Sequence, residues 1–316
     1  MKTSFVRNPY GNMIWWLRLI RWPNLVLIIL IQVLIYFRFY NNATLDLTHQ
    51  GIPNGWDVML LILSLVLVTA GGFIINDITD QASDAINKLP VKRILPNYIS
   101  ESNAYRTYIL IFITGLIISL YESWHLGFYF SFLIFPLSYY LFYAYAKYLK
   151  CTVLFGNLFV SLMITSMILL LPYAYWNVYG SFMNEESFSS LQRTLTTLCL
   201  FSFTGTLYRE IIKDIEDYEG DAKCKCRTTS VFFGIKRSEY IAISLLILMA
   251  IIVSISSFGI SSMYNRILHF IVNLTPLIFL LYIHFNNNEL QQKFRRLSFY
   301  FKLYMLIGMI YFCLFY

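Results

Sequence analysis

The sequence is short of charge. Only 13% of its 316 residues are Asp, Glu, Lys or Arg, about half the share of a soluble domain. By contrast, 58% are hydrophobic and 18% aromatic. Repeated apolar runs near the ~20 residues that cross a bilayer identify a polytopic membrane protein. Basic residues form no block of the size a nucleic-acid groove needs, so the net charge of +7 is read as topogenic and nucleic acid is set aside. Cysteine is sparse and scattered (Cys151, Cys199, Cys224, Cys226 and Cys313) and points to no disulfide framework. Cys224-Lys225-Cys226 has the form of half a metal site, but no Cys or His follows at zinc spacing. Arg21 and Pro23 interrupt the first apolar run and no small-residue cleavage site follows it, so no removed signal peptide is expected.

Aspartate is scarcer still, with eight residues, and six of them sit in two stretches. One is Asn76-Asp77-Ile78-Thr79-Asp80-Gln81-Ala82-Ser83-Asp84. The other is Asp214-Ile215-Glu216-Asp217-Tyr218-Glu219-Gly220-Asp221. Both fit Asp-x-x-Asp-x-x-x-Asp and both follow a long apolar run. At about 100° per residue, a helix places Asp77, Asp80 and Asp84 within an arc of roughly 60°. Asp214, Asp217 and Asp221 group in the same way. Asn76 falls beside the first trio and Glu210 inside the arc of the second, while Glu216 and Glu219 point away and are expected to be solvated. Three carboxylates on one face repel one another unless a cation lies between them. An all-oxygen set favours Mg²⁺ or Ca²⁺, and Mg²⁺ usually completes its shell with water and substrate phosphate.

Taken in order, residues 8–22 predict a short interfacial helix, with Trp15, Trp16 and Trp22 beside Arg18 and Arg21 at headgroup level. Spanning helices are then expected at about 24–39, 57–84, 104–121, 126–148, 152–172, 193–218, 238–258, 266–285 and 298–315. Gly71-Gly72 in the second would allow close helix contact. The expected fold is an all-α bundle of nine transmembrane helices in a single domain over residues 1–316, as two four-helix halves plus a ninth helix. With the N-terminus placed in the cytoplasm, only Arg38, Arg193 and Arg266 of the 24 Lys and Arg fall on the opposite side. That bias sets the orientation, with both acidic motifs cytoplasmic and facing each other, and the bacterial inner membrane is the expected location.

Ionisable residues at the ends of spanning helices are functional candidates. Two acidic walls holding Mg²⁺ suit a diphosphate as it leaves, and an apolar bundle behind them suits a hydrocarbon tail. Basic residues positioned to help are Lys88, Lys92 and Arg93 after the first motif, and Lys223 and Arg227 after the second. Lys147 ends the fourth expected span, with Tyr143 one turn earlier on the same face. For a single loop cation the competing role is topogenic, and for Tyr143 it is packing. Two acidic ends at matched positions are less readily explained as solvated caps.

The motifs Asn76-Asp77-x-x-Asp80-x-x-x-Asp84 and Asp214-x-x-Asp217-x-x-x-Asp221 resemble those of the UbiA superfamily of intramembrane prenyltransferases. So do Asn87-Lys88, Tyr143-x-x-x-Lys147 and Gly156-Asn157. The likeness runs over essentially the whole chain. It implies Mg²⁺-dependent transfer of a prenyl group from a prenyl diphosphate to a membrane-associated acceptor. Asn76 and the six aspartates would hold metal and diphosphate, the aspartates being the catalytic set. Tyr143 and Lys147 would contact the diphosphate, together with Asn157 and with Arg227 or Lys88. The stretch 209–221 is similar to the branch of digeranylgeranylglyceryl-phosphate synthases. Arg227-Thr228-Thr229-Ser230-Val231 departs from that branch's Arg-Thr-Leu-Pro-Val, and Leu89 separates Lys88 from Pro90. An aromatic-ring prenyltransferase of quinone or haem biosynthesis is the alternative within the superfamily. Outside it stand a cation-coupled transporter, which would place its carboxylates nearer the bilayer midplane, and a non-catalytic lipid binder. Two complete aspartate triads argue against the last, since like charges are costly to retain without a task.

Overall fold

Apolar runs in lipid must satisfy their own backbone, and helices do so within one segment. Every regular element among the described residues is a helix. The computed structural model describes residues 9–42, 55–87, 91, 93–125, 131–174, 185–260, 262–286 and 290–315. In order the helices are α1 (Pro9–Leu19), α2 (Trp22–Asn42), α3 (Gly55–Thr79), α4 (Gln81–Asn87), α5 (Glu101–His125), α6 (Ser131–Ala144), α7 (Phe155–Ile168) and α8 (Leu170–Ala174). They continue as α9 (Glu185–Glu216), α10 (Tyr218–Lys223), α11 (Thr229–Phe233), α12 (Ile235–Ser256), α13 (Met263–Asn286) and α14 (Leu290–Phe315). A π-helical turn, Tyr145–Leu149, extends α6.

Among the described residues five helices are long and apolar enough to cross a membrane: α3, α5, α12 with its 3₁₀ extension, α13 and α14. The α1–α2 pair, bent by 60° at residues 20–21, makes a sixth if the two count as one span. α14 begins eight residues before the expected 298 because Phe294 and Leu297 continue its buried stripe through Phe301 and Tyr304. α9 begins at Glu185, where Glu185 and Glu186 suit the positive end of the helix dipole.

The chain divides into two compact units, Met1–Ile29 with Gly55–Tyr148, and Leu30–Asn54 with Leu149–Tyr316. Each carries one acidic motif. In the first unit α3 packs on α5 and α6. Association in lipid relies on close packing rather than on expulsion of water, and Gly71 and Gly72 supply the surface: the rings of Tyr139 and Phe142 lie where their Cβ atoms would be. The Tyr139 hydroxyl donates to the Tyr108 carbonyl, and the two rings lie 4.6 Å apart. α1 docks on the segment after motif 1 through Trp15, stacked 3.5 Å from Tyr98, so Trp15, expected at headgroup level, has a protein partner.

In the second unit α9 is central and packs against α7, α12 and α14. Tyr208 lies against Phe301, and Phe201 against Tyr304 and Phe312. A polar chain pins α9 to α12, α13 and α14. The buried Tyr208 hydroxyl lies 3.0 Å from His284 Nε2, His284 Nδ1 lies 2.8 Å from Glu239 Oε1, and Lys293 Nζ lies 2.5 Å from the same carboxylate. The expectation of no disulfide is corrected here. Cys151 and Cys226 are bonded, 75 residues apart in sequence, with Cα atoms 4.6 Å apart. Scattered cysteines hide such a pair because only the fold brings the two turns together.

Candidate functional site

Both motifs depart from a continuous helix in the same way. α3 ends at Thr79 and α4 begins at Gln81, leaving Asp80 at the break. α9 ends at Glu216 and α10 begins with Tyr218, leaving Asp217 at the break. The backbone ladder nevertheless carries on: Asp80 N–H reaches Asn76 O at 2.9 Å and Asp84 N–H reaches Asp80 O at 2.8 Å. In motif 2, Asp217 N–H reaches Lys213 O at 2.9 Å and Asp221 N–H reaches Asp217 O at 3.0 Å. Each motif thus keeps helical spacing, with one turn residue, its middle aspartate, between its two helices.

In motif 1 the acids have nitrogen partners. Arg21 Nη2 donates to Asp77 Oδ1 at 2.9 Å, and its guanidinium sits 4.8 Å over the Phe73 ring, one turn before Asp77. Arg21 takes a left-handed backbone, φ 52°, at the α1–α2 elbow. Sequence reasoning left Arg21 among the headgroup-level cations; its place inside an interrupted apolar run was the signal available. Asn76 Nδ2 donates to Asp80 Oδ2 at 2.7 Å. Arg93 donates to the Ala85 carbonyl at 2.9 Å and so braces α4. Lys88 and Lys92 lie outside the described residues, as does the side chain of Asn87. On the π turn in the same unit, the exposed Lys147 Nζ donates to Tyr143 Oη at 3.1 Å, so these two residues are together as expected.

Motif 2 is bound to α7 and to the segment after it. Asn157, buried on the first turn of α7, donates from Nδ2 to Asp214 Oδ2 at 2.9 Å. Its Oδ1 accepts from Thr229 Oγ1 at 3.0 Å, and Thr229 accepts from Leu154 N–H at 3.2 Å. Ser230 Oγ donates to the Asp214 carbonyl at 2.6 Å. Thr229 and Ser230 stand where the sequence departs from the Leu-Pro of the synthase-like branch; the Ser230 hydroxyl bonds motif 2 directly and the Thr229 hydroxyl reaches it through Asn157. Asp221 is buried beside Asp217, and burial first, then that like charge, push its carboxyl up to about 6. Lys150, Lys213 and the Thr228 hydroxyl act in the opposite direction. Arg227 and Lys223 are exposed. Glu210 pairs with Arg209 at 3.0 Å. Glu219 is exposed as expected, whereas Glu216 is only partly exposed and lies in the field of Arg295, Lys302 and Lys213.

Among the described residues no three His, Cys, Asp or Glu side chains converge as a preformed cage. Arg21, Asn76 and Asn157 draw the carboxylates toward nitrogen donors instead. The donor set still fits Mg²⁺, whose ligands are oxygens and which is commonly held by one or two carboxylates plus water and phosphate. Asp77, Asp80 and Asp84 in one unit, and Asp214, Asp217 and Asp221 in the other, supply such oxygens. Each set has a neighbouring amide or guanidinium group on one of its aspartates.

The chain is similar to known proteins in sequence and in fold. The digeranylgeranylglyceryl phosphate synthase of Korarchaeum cryptofilum is 31% identical over 274 residues, 82% of this chain and 89% of that one. A solved structure from work on digeranylgeranylglyceryl phosphate synthase in membranes aligns over 96% of this chain and 98% of its own, with TM-score 0.62 and 24% identity. A UbiA homologue from Archaeoglobus fulgidus, bound to GPP and Mg²⁺, aligns over 93% and 98% with TM-score 0.57 and 17% identity. These two likenesses show a shared fold. The sequence matches the UbiA prenyltransferase family over residues 43–306, and the chain belongs to that family.

Proposed function

We propose that this protein transfers a prenyl group from a prenyl diphosphate, such as geranylgeranyl diphosphate, to the hydroxyl of a phosphorylated glycerol lipid, such as prenylglyceryl phosphate, with Mg²⁺ as cofactor. The observation that carries the proposal is the matched pair of acidic motifs, each with its middle aspartate between two helices and each tied to amide or guanidinium groups (Asn76 and Arg21, or Asn157). Family membership supports the reaction type. The relative's name supports the acceptor, and the Mg²⁺ and GPP in the Archaeoglobus fulgidus homologue support the cofactor.

Mg²⁺ bound at the motifs would neutralise charge on the diphosphate oxygens as the C1–O bond breaks. Asn76 and Asn157 hold Asp80 and Asp214 in fixed rotamers for that purpose. Arg21, Tyr143 and Lys147 would donate to diphosphate oxygens, with Arg227 and Lys88 as further cations in the sequence after the motifs. The acceptor oxygen then bonds to C1, and its proton passes to the departing diphosphate. The orientation belongs to the same proposal: nine spans with the N-terminus and both motifs at the cytoplasmic face. All nine expected apolar segments fall mainly on helices, which supports that count.

The test is incubation of purified protein with Mg²⁺ and labelled geranylgeranyl diphosphate. Prenylglyceryl phosphate, dihydroxynaphthoate and hydroxybenzoate are offered in parallel. Labelled diether lipid from the first alone supports the proposal. Product from an aromatic acceptor alone replaces it with the quinone-type reading. Asp80→Asn and Asp217→Asn should abolish product in detergent, where no gradient exists, and retained activity there would sink the role of the motifs.

A further inference from the structure

The prenyl-transfer reading makes no use of the two cysteines that flank motif 2. Cys151 lies in the exposed turn before α7, and Cys226 lies half-buried between motif 2 and α11. What their bond joins is specific. Cys226 N–H donates to the carbonyl of Asp221, the last motif aspartate, at 2.9 Å. Lys150, immediately before Cys151, is a charge partner of Asp221. Three residues beyond each cysteine, Leu154 N–H meets Thr229 Oγ1 at 3.2 Å, and Thr229 leads through Asn157 to Asp214. The covalent link and the hydrogen bonds therefore tie the same two segments, and both ends of the tie reach motif aspartates.

We propose that Cys151 and Cys226 are a reversible thiol-modification site, whose disulfide form fixes the segment after motif 2 in its diphosphate-binding arrangement and whose dithiol form loosens it. The dithiol exchanges with a low-molecular-weight disulfide. One cysteine thiolate attacks a sulfur of that disulfide and expels one small thiol. The second cysteine then attacks the mixed disulfide, expels the other small thiol and leaves the protein bridge. The protein is oxidised by two electrons and the small disulfide reduced by two, with both protons ending on the released thiols. Exposure of Cys151 gives the reagent access. Cys224, two residues from Cys226, is free and half-buried and is the natural control.

The effect on diphosphate binding rests on the proposed function; the modification site itself does not. The experiment uses the full chain in detergent, reduced with dithiothreitol or oxidised with oxidised glutathione. Peptide mapping should recover a cross-linked peptide containing Cys151 and Cys226 only from the oxidised sample. Trypsin should cut more slowly after Lys150 and Arg227 in that sample. On reduction, KM for the prenyl diphosphate should rise several-fold with kcat unchanged. Cys151→Ser and Cys226→Ser should show reduced-state values under both conditions, and Cys224→Ser should respond as wild type. A bridge to Cys224, or no bridge, overturns the proposal. So does a Cys151–Cys226 bridge that changes neither trypsin cleavage nor KM. A sample that cross-links and is protected, yet makes no prenylated product in either state, refutes the prenyltransferase reading and leaves the modification site standing.

Discussion

Replacing Asn157 by Ala cuts both ends of the bridge that seats motif 2 on α7. The amide donates to Asp214 at 2.9 Å and accepts from Thr229 at 3.0 Å. Asn157 is 6% exposed and Thr229 fully buried, so water cannot take over either bond without entering the bundle. A hydrogen bond to a charged group contributes about 1.5–3 kcal/mol and a neutral one about 1 kcal/mol. If the charged bond acts wholly through the orientation of Asp214, its loss lowers kcat/KM by about 10- to 150-fold. The Mg²⁺ concentration for half-maximal rate should rise with it, because an unheld Asp214 must be ordered at the moment of binding. Thr229→Val leaves the charged bond in place; it removes the neutral bond to Asn157 and the one that Leu154 N–H donates, and through the first should cost about fivefold in kcat/KM. The assay is steady-state prenyl transfer with Mg²⁺ titrated at fixed diphosphate, beside thermal melting of each variant. The reasoning is refuted if Asn157→Ala stays close to wild type in kcat/KM while remaining folded, or if it is no worse than Thr229→Val.

Four further outcomes are expected. Arg21→Ala removes a part-exposed ion pair, with side chains 30% and 13% exposed, so stability should change by less than about 1 kcal/mol. Asp77 loses its internal cation, so Mg²⁺ binding without diphosphate should tighten while the diphosphate KM worsens; calorimetric titration showing unchanged or weaker Mg²⁺ binding would refute this competition. Asp221, pushed up to about 6 chiefly by burial, binds its proton more tightly folded than unfolded, so in the absence of Mg²⁺ its contribution makes stability fall as pH rises from about 4 to 6. Melting curves across that window should show the fall, reduced in Asp221→Asn. Gly71→Ala drives a methyl into the Tyr139 ring and should destabilise by about 1–3 kcal/mol; Gly55→Ala, where a Cβ meets nothing within 4 Å, should melt as wild type. Lys147→Met and Tyr143→Phe should each raise the diphosphate KM, Lys147→Met more, since it removes a charge whereas Tyr143→Phe removes one hydroxyl and leaves Lys147 charged when its 3.1 Å partner is lost; an unchanged KM in Tyr143→Phe would take Tyr143 out of diphosphate binding.

Much of the architecture was legible because it depends on what a segment does to itself. Apolar runs in a chain this poor in charge become helices, and an Asp-x-x-Asp-x-x-x-Asp repeat puts its acids on one face whatever packs against it. The ladder bonds through Asp80 and Asp217 show that the spacing argument held even where each helix is interrupted. What periodicity could not supply was the partner on the other side. Arg21 and Asp77 are 56 residues apart, Asn157 and Asp214 57, and Cys151 and Cys226 75. Each pair was misread or left undecided for the same reason: a residue's own neighbourhood explained it adequately. Arg21 satisfied the headgroup rule, the cysteines satisfied the rule of scatter, and Glu216 pointed off the aspartate arc, a direction equated with solvent although Arg295 and Lys302 of α14 lie near it. Only the resemblance singled out Asn157, and it could not say that this amide holds Asp214 while Thr229 holds the amide. An acidic motif announces itself by spacing, but the groups that decide whether it meets its metal bare or already engaged come from other helices. Those groups, Arg21 and Asn157, are where substitution separates a tuned diphosphate site from a cluster of like charges.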